Sequence, residues 1–174
     1  MDEAKFHGHS VPMRYRDQPT AEVTRRLSCT PEAAWAVVTD IELPLAHSPE
    51  LRKVQWIEGD GVAVGNIFRG DNETSGLGGW STDCVVSDVE PGRRWTWAVR
   101  GRGGVMATWG FEVDPTSDGG SIVRQWGRMG PDPSGLSIFI AQHPDKESRI
   151  IEGRLQQWRE GMEANLDEVA RRTA

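Results

Sequence analysis

The most regular pattern of apolar residues lies in the last stretch of the chain, from residue 146 to residue 172. Its apolar positions are three or four residues apart, namely Ile151, Leu155, Trp158, Met162, Leu166 and Val169. This spacing places all six side chains on one side of an α-helix. At about 1.5 Å per residue the helix is about 40 Å long. A coiled coil is the alternative, but only about four heptads are available and a bulky Trp stands among the core positions. The pattern predicts a long helix that packs on a broad apolar surface.

Six segments in the middle of the chain have the alternation or the turn boundaries of β-strands. They span residues 51–58, 66–74, 80–90, 93–100, 106–113 and 121–130. A seventh strand is predicted over residues 20–29, where Arg25 interrupts the apolar face and is expected at the end of the sheet rather than in a cavity. Turns at near-regular spacing, without intervening helices, predict antiparallel neighbours.

Short helices are indicated on either side of the six strands. Thr30-Pro31-Glu32 combines a capping residue, a proline and an acidic first turn, and it predicts a short helix that runs towards Asp40. A second short helix or turn follows before Pro49. Residues 131–144 contain a short apolar centre that is compatible with a further helix. Residues 1–19 are polar and form an N-terminal arm or mobile tail, which leaves residues 20–174 as a single domain.

Together these elements predict an α+β fold, in which a seven-stranded antiparallel sheet carries the long C-terminal helix on one face. The sheet must curve around the helix to bury its apolar stripe, and a curved sheet leaves a gap beneath the helix. Such a gap is a natural pocket for a small molecule. On the last strand the set of positions with fewer charges is expected to face this gap, and it includes Gln125.

The charge balance limits the classes of partner. Twenty Lys and Arg residues stand against 26 Asp and Glu residues, and the net charge is -6. This balance disfavours charge-driven binding to nucleic acid or to an anionic membrane. The sequence has no apolar run that could span a bilayer and no signal-peptide pattern, so we expect a cytoplasmic protein without membrane insertion. Two cysteines do not form a disulfide framework.

No motif has the spacing of a known catalytic or cofactor site. The glycines at 76, 78 and 79 lack the pattern of a phosphate-binding loop, and no Gly-x-Ser-x-Gly elbow occurs. His47 and His143 are isolated and are interpreted as surface or capping residues. Cys84 is interpreted as a small buried residue. We expect neither a metal nor a cofactor. The remaining candidates are polar strand residues, namely Arg69, Asn72, Asp83, Glu112, Arg124, Gln125 and Arg128.

Several short motifs, in their order, resemble the SRPBCC superfamily, also called START-like or Bet v 1-like. They are Pro31-Glu32-Ala33-Ala34-Trp35, Ser48-Pro49-Glu50-Leu51, Phe68-Arg69-Gly70-Asp71-Asn72, Trp80-Ser81-Thr82-Asp83-Cys84-Val85, Glu90-Pro91-Gly92 and Gly119-Gly120-Ser121. The resemblance is strongest to the actinobacterial branch of polyketide cyclase/dehydrase and lipid transport proteins, and it covers residues 20–172. It implies the helix-grip fold and an internal cavity for a lipid, polyketide or aromatic metabolite. The superfamily has no universal catalytic residue to transfer.

Three functions follow from these observations. The first is the binding of a hydrophobic small molecule in the cavity, the second is a polyketide aromatase/cyclase or dehydratase in the same cavity, and the third is a regulatory or interaction domain. The sequence favours binding over catalysis, and it leaves a homodimer open. The predicted cavity wall is apolar and rich in tryptophan, with one polar residue, and consists of Trp80, Trp97, Trp109, Phe111, Gln125, Phe139, Leu155, Trp158 and Met162.

Overall fold

Seven strands and three α-helices follow one another along residues 11–174, the part of the chain that the computed structural model describes. The strands are β1 (Thr20–Leu27), β2 (Leu51–Glu58), β3 (Ile67–Thr74), β4 (Gly78–Glu90), β5 (Arg94–Gly101), β6 (Gly104–Pro115) and β7 (Ser121–Met129). The helices are α1 (Pro31–Val38), α2 (Gly135–Gln142) and α3 (Glu147–Arg172), and short 3-10 helices occupy Tyr15–Asp17, Leu43–Ala46 and Pro144–Lys146.

The strands form one antiparallel sheet in the order β1-β7-β6-β5-β4-β3-β2. The predicted α+β helix-grip fold is therefore confirmed, with one short α-helix and one 3-10 helix between β1 and β2. The register shifts between β2 and β3, between β4 and β5 and between β5 and β6. Such irregularities bend a strand and increase its twist, which curves the sheet towards α3.

Helix α3 does not lie over the centre of the sheet. It packs mainly along the edge strand β1 and, to a smaller extent, on β7, α1 and the 3-10 helix Leu43–Ala46. Arg25 of β1 strengthens this contact, because its guanidinium binds the carboxylates of Glu163 and Asp167 on α3. Helix α1 packs on β6 and β7, so the strands from β3 to β5 are left without an α-helix packed closely on them.

The apolar stripe of α3 enters two separate clusters of buried residues. Near the start of the helix, Ile151, Leu155 and Met162 pack with residues of β1, β7 and α2. Near its end, Leu166 and Val169 pack with α1 and the middle of the sheet. Residues of both clusters also line cavities, for example Val38 in the cluster near the end of α3 and Met162 in the cluster near its start.

Hydrogen bonds fix the short helices in place. Oγ1 of Thr30 accepts from the backbone N–H of Ala33 at 3.2 Å and caps α1, as its sequence indicates. At the other end of α1, Nε1 of the buried Trp95 donates to the carbonyl of Val38 at 3.0 Å. This bond joins the end of α1 to the floor of the sheet.

The N-terminal segment is described from residue 11, and residues 1–10 of the predicted arm lie outside the described residues. The hydroxyl of Tyr15 donates to the carbonyl of Asp132 at 2.8 Å. The backbone N–H of Tyr15 donates to Glu147 at 2.8 Å, and this bond lowers the pKa of the Glu147 carboxyl. Tyr15 therefore joins this segment to the connection before α2 and to the first turn of α3.

Candidate functional site

An inner cavity of about 270 Å³ lies on the concave face of the sheet, beneath α1 and the segment that follows it. Its floor comes from β2 to β7, and its roof comes from residues 38–44 and from Asn165 of α3. The wall is largely aromatic and includes Phe68, Trp95, Trp97, Trp109 and Phe111.

The aromatic rings form a continuous layer across the strands. Trp97 stacks on Trp95, with ring centroids 4.4 Å apart, and lies parallel to Trp109 at 6.5 Å. Trp158 of α3 covers Trp109, with centroids 4.5 Å apart. Such contacts add to the apolar burial of each ring and hold the rings in defined orientations. The layer offers flat apolar surfaces to a ligand.

The sequence places these rings by alternation and by a facing glycine. Trp95 and Trp97 are two residues apart on β5 and therefore point to the same face of the sheet. Trp109 on β6 pairs with Gly127 on β7. A Cβ at position 127 would lie 2.9 Å from Cε3 of Trp109, so the indole lies directly over the glycine backbone. A larger residue at 127 would push the indole into the cavity.

An outer cavity of about 520 Å³ adjoins the inner one. It lies between residues 44–50 and one face of α3, which contributes Arg154, Trp158 and Gly161, among others. Trp109 and Gln125 border both cavities, as do Pro44 and Asn165. The shared wall shows that the two cavities meet at this point.

Three polar side chains form a hydrogen-bonded chain where the cavities meet. Nε2 of His47 lies 2.7 Å from Oδ1 of Asn165. Nδ2 of Asn165 donates to Oε1 of Gln125 at 2.9 Å. Gln125 is 3% exposed and Asn165 is 8% exposed, so both amides lie away from bulk solvent. We call these three residues the polar relay.

The other polar groups of the inner cavity are already engaged or neutral. Asp40 accepts from Nη1 of Arg172 at 2.8 Å. Cys84 also lines the cavity, and its burial raises the pKa of the thiol to about 12. A thiol with so high a pKa remains protonated at neutral pH and is a poor nucleophile.

The predicted wall residues are distributed over several places. Trp97, Trp109, Phe111 and Gln125 line the inner cavity, and Trp158 and Met162 line the outer one together with Trp109 and Gln125. Three others line neither cavity. Leu155 is buried in the cluster at the start of α3, Phe139 is 49% exposed on α2, and Trp80 precedes the lining residues of β4.

The sequence pattern does not identify two residues of the site. His47 is interpreted from the sequence as a surface or capping residue, yet its ring borders the outer cavity and contacts Asn165. Asn165 is not among the predicted wall residues. Its position nevertheless carries a signal, because it stands three residues after Met162 and four before Val169, within the apolar stripe of α3. A polar residue on such a stripe needs a buried partner.

Most of the charged strand residues that were candidates lie on the opposite, convex face. Arg69 pairs with Asp83 at 2.7 Å. Arg124 pairs with Glu112 at 3.0 Å and also binds Glu22. Of the seven polar candidates, only Asn72 and Gln125 line a cavity.

Within residues 11–174, no group of three or more His, Cys, Asp or Glu side chains is arranged to hold a metal ion. None of the helices described there is long and apolar enough to cross a membrane.

Comparisons with known proteins place this fold in a family. The sequence model of the family described as "Polyketide cyclase / dehydrase and lipid transport" matches residues 18–172. No curated protein sequence matches the chain.

Solved structures provide the second comparison. The solution NMR structure of Cgl2372, a polyketide-cyclase-like protein from Corynebacterium glutamicum, is 25% identical with a TM-score of 0.64, and the match covers 92% of each chain. The crystal structure of TTHA0849 from Thermus thermophilus is 16% identical with a TM-score of 0.59, covering 89% of this chain and 97% of that one.

One structural neighbour comes from a biosynthetic pathway. It is StfQ, a di-domain aromatase/cyclase of the steffimycin pathway, with 15% identity and a TM-score of 0.65. The match covers 91% of this chain and 52% of StfQ, so the chain spans about half of its length. At this identity the likeness concerns the fold alone. The family match extends over most of the chain, and the protein therefore belongs to the polyketide cyclase/dehydrase and lipid transport family, with the helix-grip fold of the SRPBCC superfamily.

Proposed function

We propose that this protein binds a hydrophobic small molecule, namely a lipid, polyketide or aromatic metabolite, in the joined cavities between the sheet and α3. The observation that carries the proposal is the aromatic layer formed by Trp95, Trp97 and Trp109 on the floor of the inner cavity. The family is one of hydrophobic-ligand proteins, which supports this assignment.

The dimensions of the site support the same conclusion. Small-molecule sites in proteins have volumes of about 300 to 1,000 Å³ and combine apolar walls with a few polar groups. The inner cavity of about 270 Å³ and the outer cavity of about 520 Å³ fit this pattern. Their polar groups lie at the junction, where they would orient a ligand that extends through both cavities.

A cyclase or dehydratase is the second candidate, favoured by the position of His47 on the wall of the outer cavity. A histidine next to an apolar site is suited to transfer protons during aldol closure and dehydration. The test is the product profile of a reactive polyketide mimic with the wild-type protein and with His47→Ala. Catalysis requires products that depend on the protein and on His47, and identical profiles with and without protein would exclude it.

Native mass spectrometry of gently purified protein tests the binding function. We expect a fraction of the protein to carry a mass excess that disappears on denaturation. The second arm is a thermal-shift screen with tetralin, 1-tetralone, 1-aminoanthracene and oleate, in which at least one compound raises the melting temperature. A mass without excess, together with no shift for any compound, would contradict the proposal.

A further inference from the structure

The two hydrogen bonds of the polar relay run in one direction, from His47 to Asn165 to Gln125. This direction determines whether Gln125 presents a donor or an acceptor to a ligand. We propose that His47, acting through Asn165, fixes Gln125 as a hydrogen-bond donor to a carbonyl-type oxygen of the ligand. The inference deepens the proposed function and rests on it. It specifies the ligand class as an apolar ring or chain that carries a ketone or similar acceptor oxygen where the two cavities meet.

The direction follows from the two hydrogen bonds of the relay. Oδ1 of Asn165 is an acceptor, so Nε2 of His47 must carry the proton in the 2.7 Å contact. The amide nitrogen of Asn165 then faces Gln125 and donates to its Oε1 at 2.9 Å. One lone pair of Oε1 of Gln125 is thereby engaged by Asn165, and its Nε2 group remains available as a donor.

The available group borders the cavity. No described residue accepts a hydrogen bond from Nε2 of Gln125, and Gln125 lines both cavities. In the described range, the only side-chain nitrogen or oxygen that is both fully enclosed and without a partner is Nε1 of Trp126, on the convex face. Nε2 of Gln125 is therefore not fully enclosed, and Gln125 lines both cavities. A donor in this position can pair with a ligand oxygen, and such a hydrogen bond stabilises the bound ligand.

The position of the proton on the His47 ring sets the direction. A ring with a proton on Nε2 donates to Oδ1 of Asn165. A ring without this proton would accept from Asn165 instead, both amides would turn over, and Gln125 would present its oxygen.

Other charged groups also surround the outer cavity. They are Glu50, Arg154 and Glu160, and Nη1 of Arg154 donates to Glu50 at 3.2 Å. Asp40 of the inner cavity is paired with Arg172. Both Glu50 and Asp40 are therefore paired with an arginine, and the relay supplies the uncharged polar groups at the junction of the cavities.

The experiment compares 1-tetralone with tetralin, two probes that share a two-ring skeleton and differ by one carbonyl oxygen. Calorimetric titration gives the ratio of the affinity for 1-tetralone to the affinity for tetralin. Gln125→Met removes the donor with little change of shape. His47→Ala removes the residue that fixes the direction, and His47→Gln keeps an N–H donor at this position. His143→Ala is the control, because its ring contacts Phe139 outside the cavities.

The ratio of the affinity for 1-tetralone to the affinity for tetralin should be about two- to twelvefold higher in the wild type than in Gln125→Met. This is the range expected for one neutral hydrogen bond. His47→Ala should lose most of the preference for 1-tetralone, His47→Gln should keep it, and His143→Ala should behave as wild type.

Two results would overturn the inference. If both probes bind and the ratio is the same in wild type, Gln125→Met and His47→Ala, the relay does not select the ligand, although the binding function stands. If neither probe binds, the binding function itself fails for this ligand class, and the inference fails with it. If Gln125→Met does not fold, the two His47 variants decide the matter, and equal ratios in wild type, His47→Ala and His47→Gln overturn the inference.

Discussion

Two glycines of α3 allow the outer cavity to be blocked with a matched control. Gly161 lines the outer cavity, and Gly153 lies two turns earlier and lines neither cavity. A Cβ at either position has no atom within 4 Å. Both sites are exposed and therefore accept a side chain without a clash. We predict that Gly161→Phe weakens ligand binding and that Gly153→Phe does not.

The size of the effect follows from burial of the new ring. Gly161 lies on the same face of α3 as Trp158 and Asn165, so a phenyl group at 161 can fold into the cavity. Full burial of a Phe side chain is worth about 1.5 to 3 kcal/mol. A ligand must displace the phenyl ring from the cavity, and binding is weakened by the burial energy that the ring then loses. The dissociation constant of the ligand should therefore rise about tenfold to 150-fold.

Stability and binding should change in opposite directions for Gly161→Phe. Replacing glycine within a helix by an ordinary residue favours the helix by a few tenths of a kcal/mol, and both variants receive this gain. Only Gly161→Phe adds the burial of its ring. Fluorescence titration with 1-aminoanthracene gives the affinity, and thermal unfolding gives the stability. Equal affinities in the two variants, with both folded, would refute the assignment of the outer cavity as part of the site.

Three other properties of the molecule are open to simple tests. Trp95→Phe removes the hydrogen bond to the Val38 carbonyl and leaves this acceptor buried without a partner. We expect the free energy of unfolding, measured by chemical denaturation, to fall by about 1 to 3 kcal/mol. An unchanged denaturation midpoint would contradict this role of Trp95. The pKa of the Cys84 thiol is raised to about 12, so Cys84 should not be alkylated by iodoacetamide in the native protein at about pH 8 and should be alkylated after unfolding. The mass of the intact protein shows whether alkylation has occurred, and alkylation of Cys84 in the native protein would contradict the prediction. The pKa of the Glu168 carboxyl is lowered from 4.5 to about 2, chiefly by its hydrogen bond with Arg171. The ionised carboxylate therefore stabilises the fold fully above pH 4.5, and this contribution is lost as the pH falls through about 2. Glu168→Gln should therefore be less stable than wild type at neutral pH, and the difference in melting temperature should vanish near pH 2; a constant difference would contradict the ion pair as its cause.

The fold could be predicted from the sequence because its signals are local. Each strand of the sheet is bounded by turn residues, and the structure places β2 over the residues that the alternation predicted. The long helix differs by one residue at its start, because Pro144–Lys146 forms a 3-10 turn and α3 begins at Glu147. Strand periodicity and helix spacing depend only on neighbouring residues, so one sequence is sufficient for them.

The polar part of the site could not be predicted in the same way. His47 and Asn165 are 118 positions apart, and only the packing of α3 beside residues 44–50 brings them together. The stripe of α3 predicts a buried face, but it does not show where that face borders a cavity instead of a core. Leu155 and Met162 illustrate the difference, since both are buried and only Met162 also lines a cavity.

The central claim is that an apolar ligand lies against the aromatic layer on the concave face. Its most direct test is a nitrogen–proton NMR titration that follows the indole N–H signals of the eight tryptophans as tetralin is added. The signals of Trp97 and Trp109 should shift or broaden with increasing ligand, because their rings line the cavity. The signal of Trp126, on the convex face, should remain in place and serves as the internal reference. Ligand-dependent shifts at Trp126 with none at Trp97 and Trp109 would contradict the proposed site.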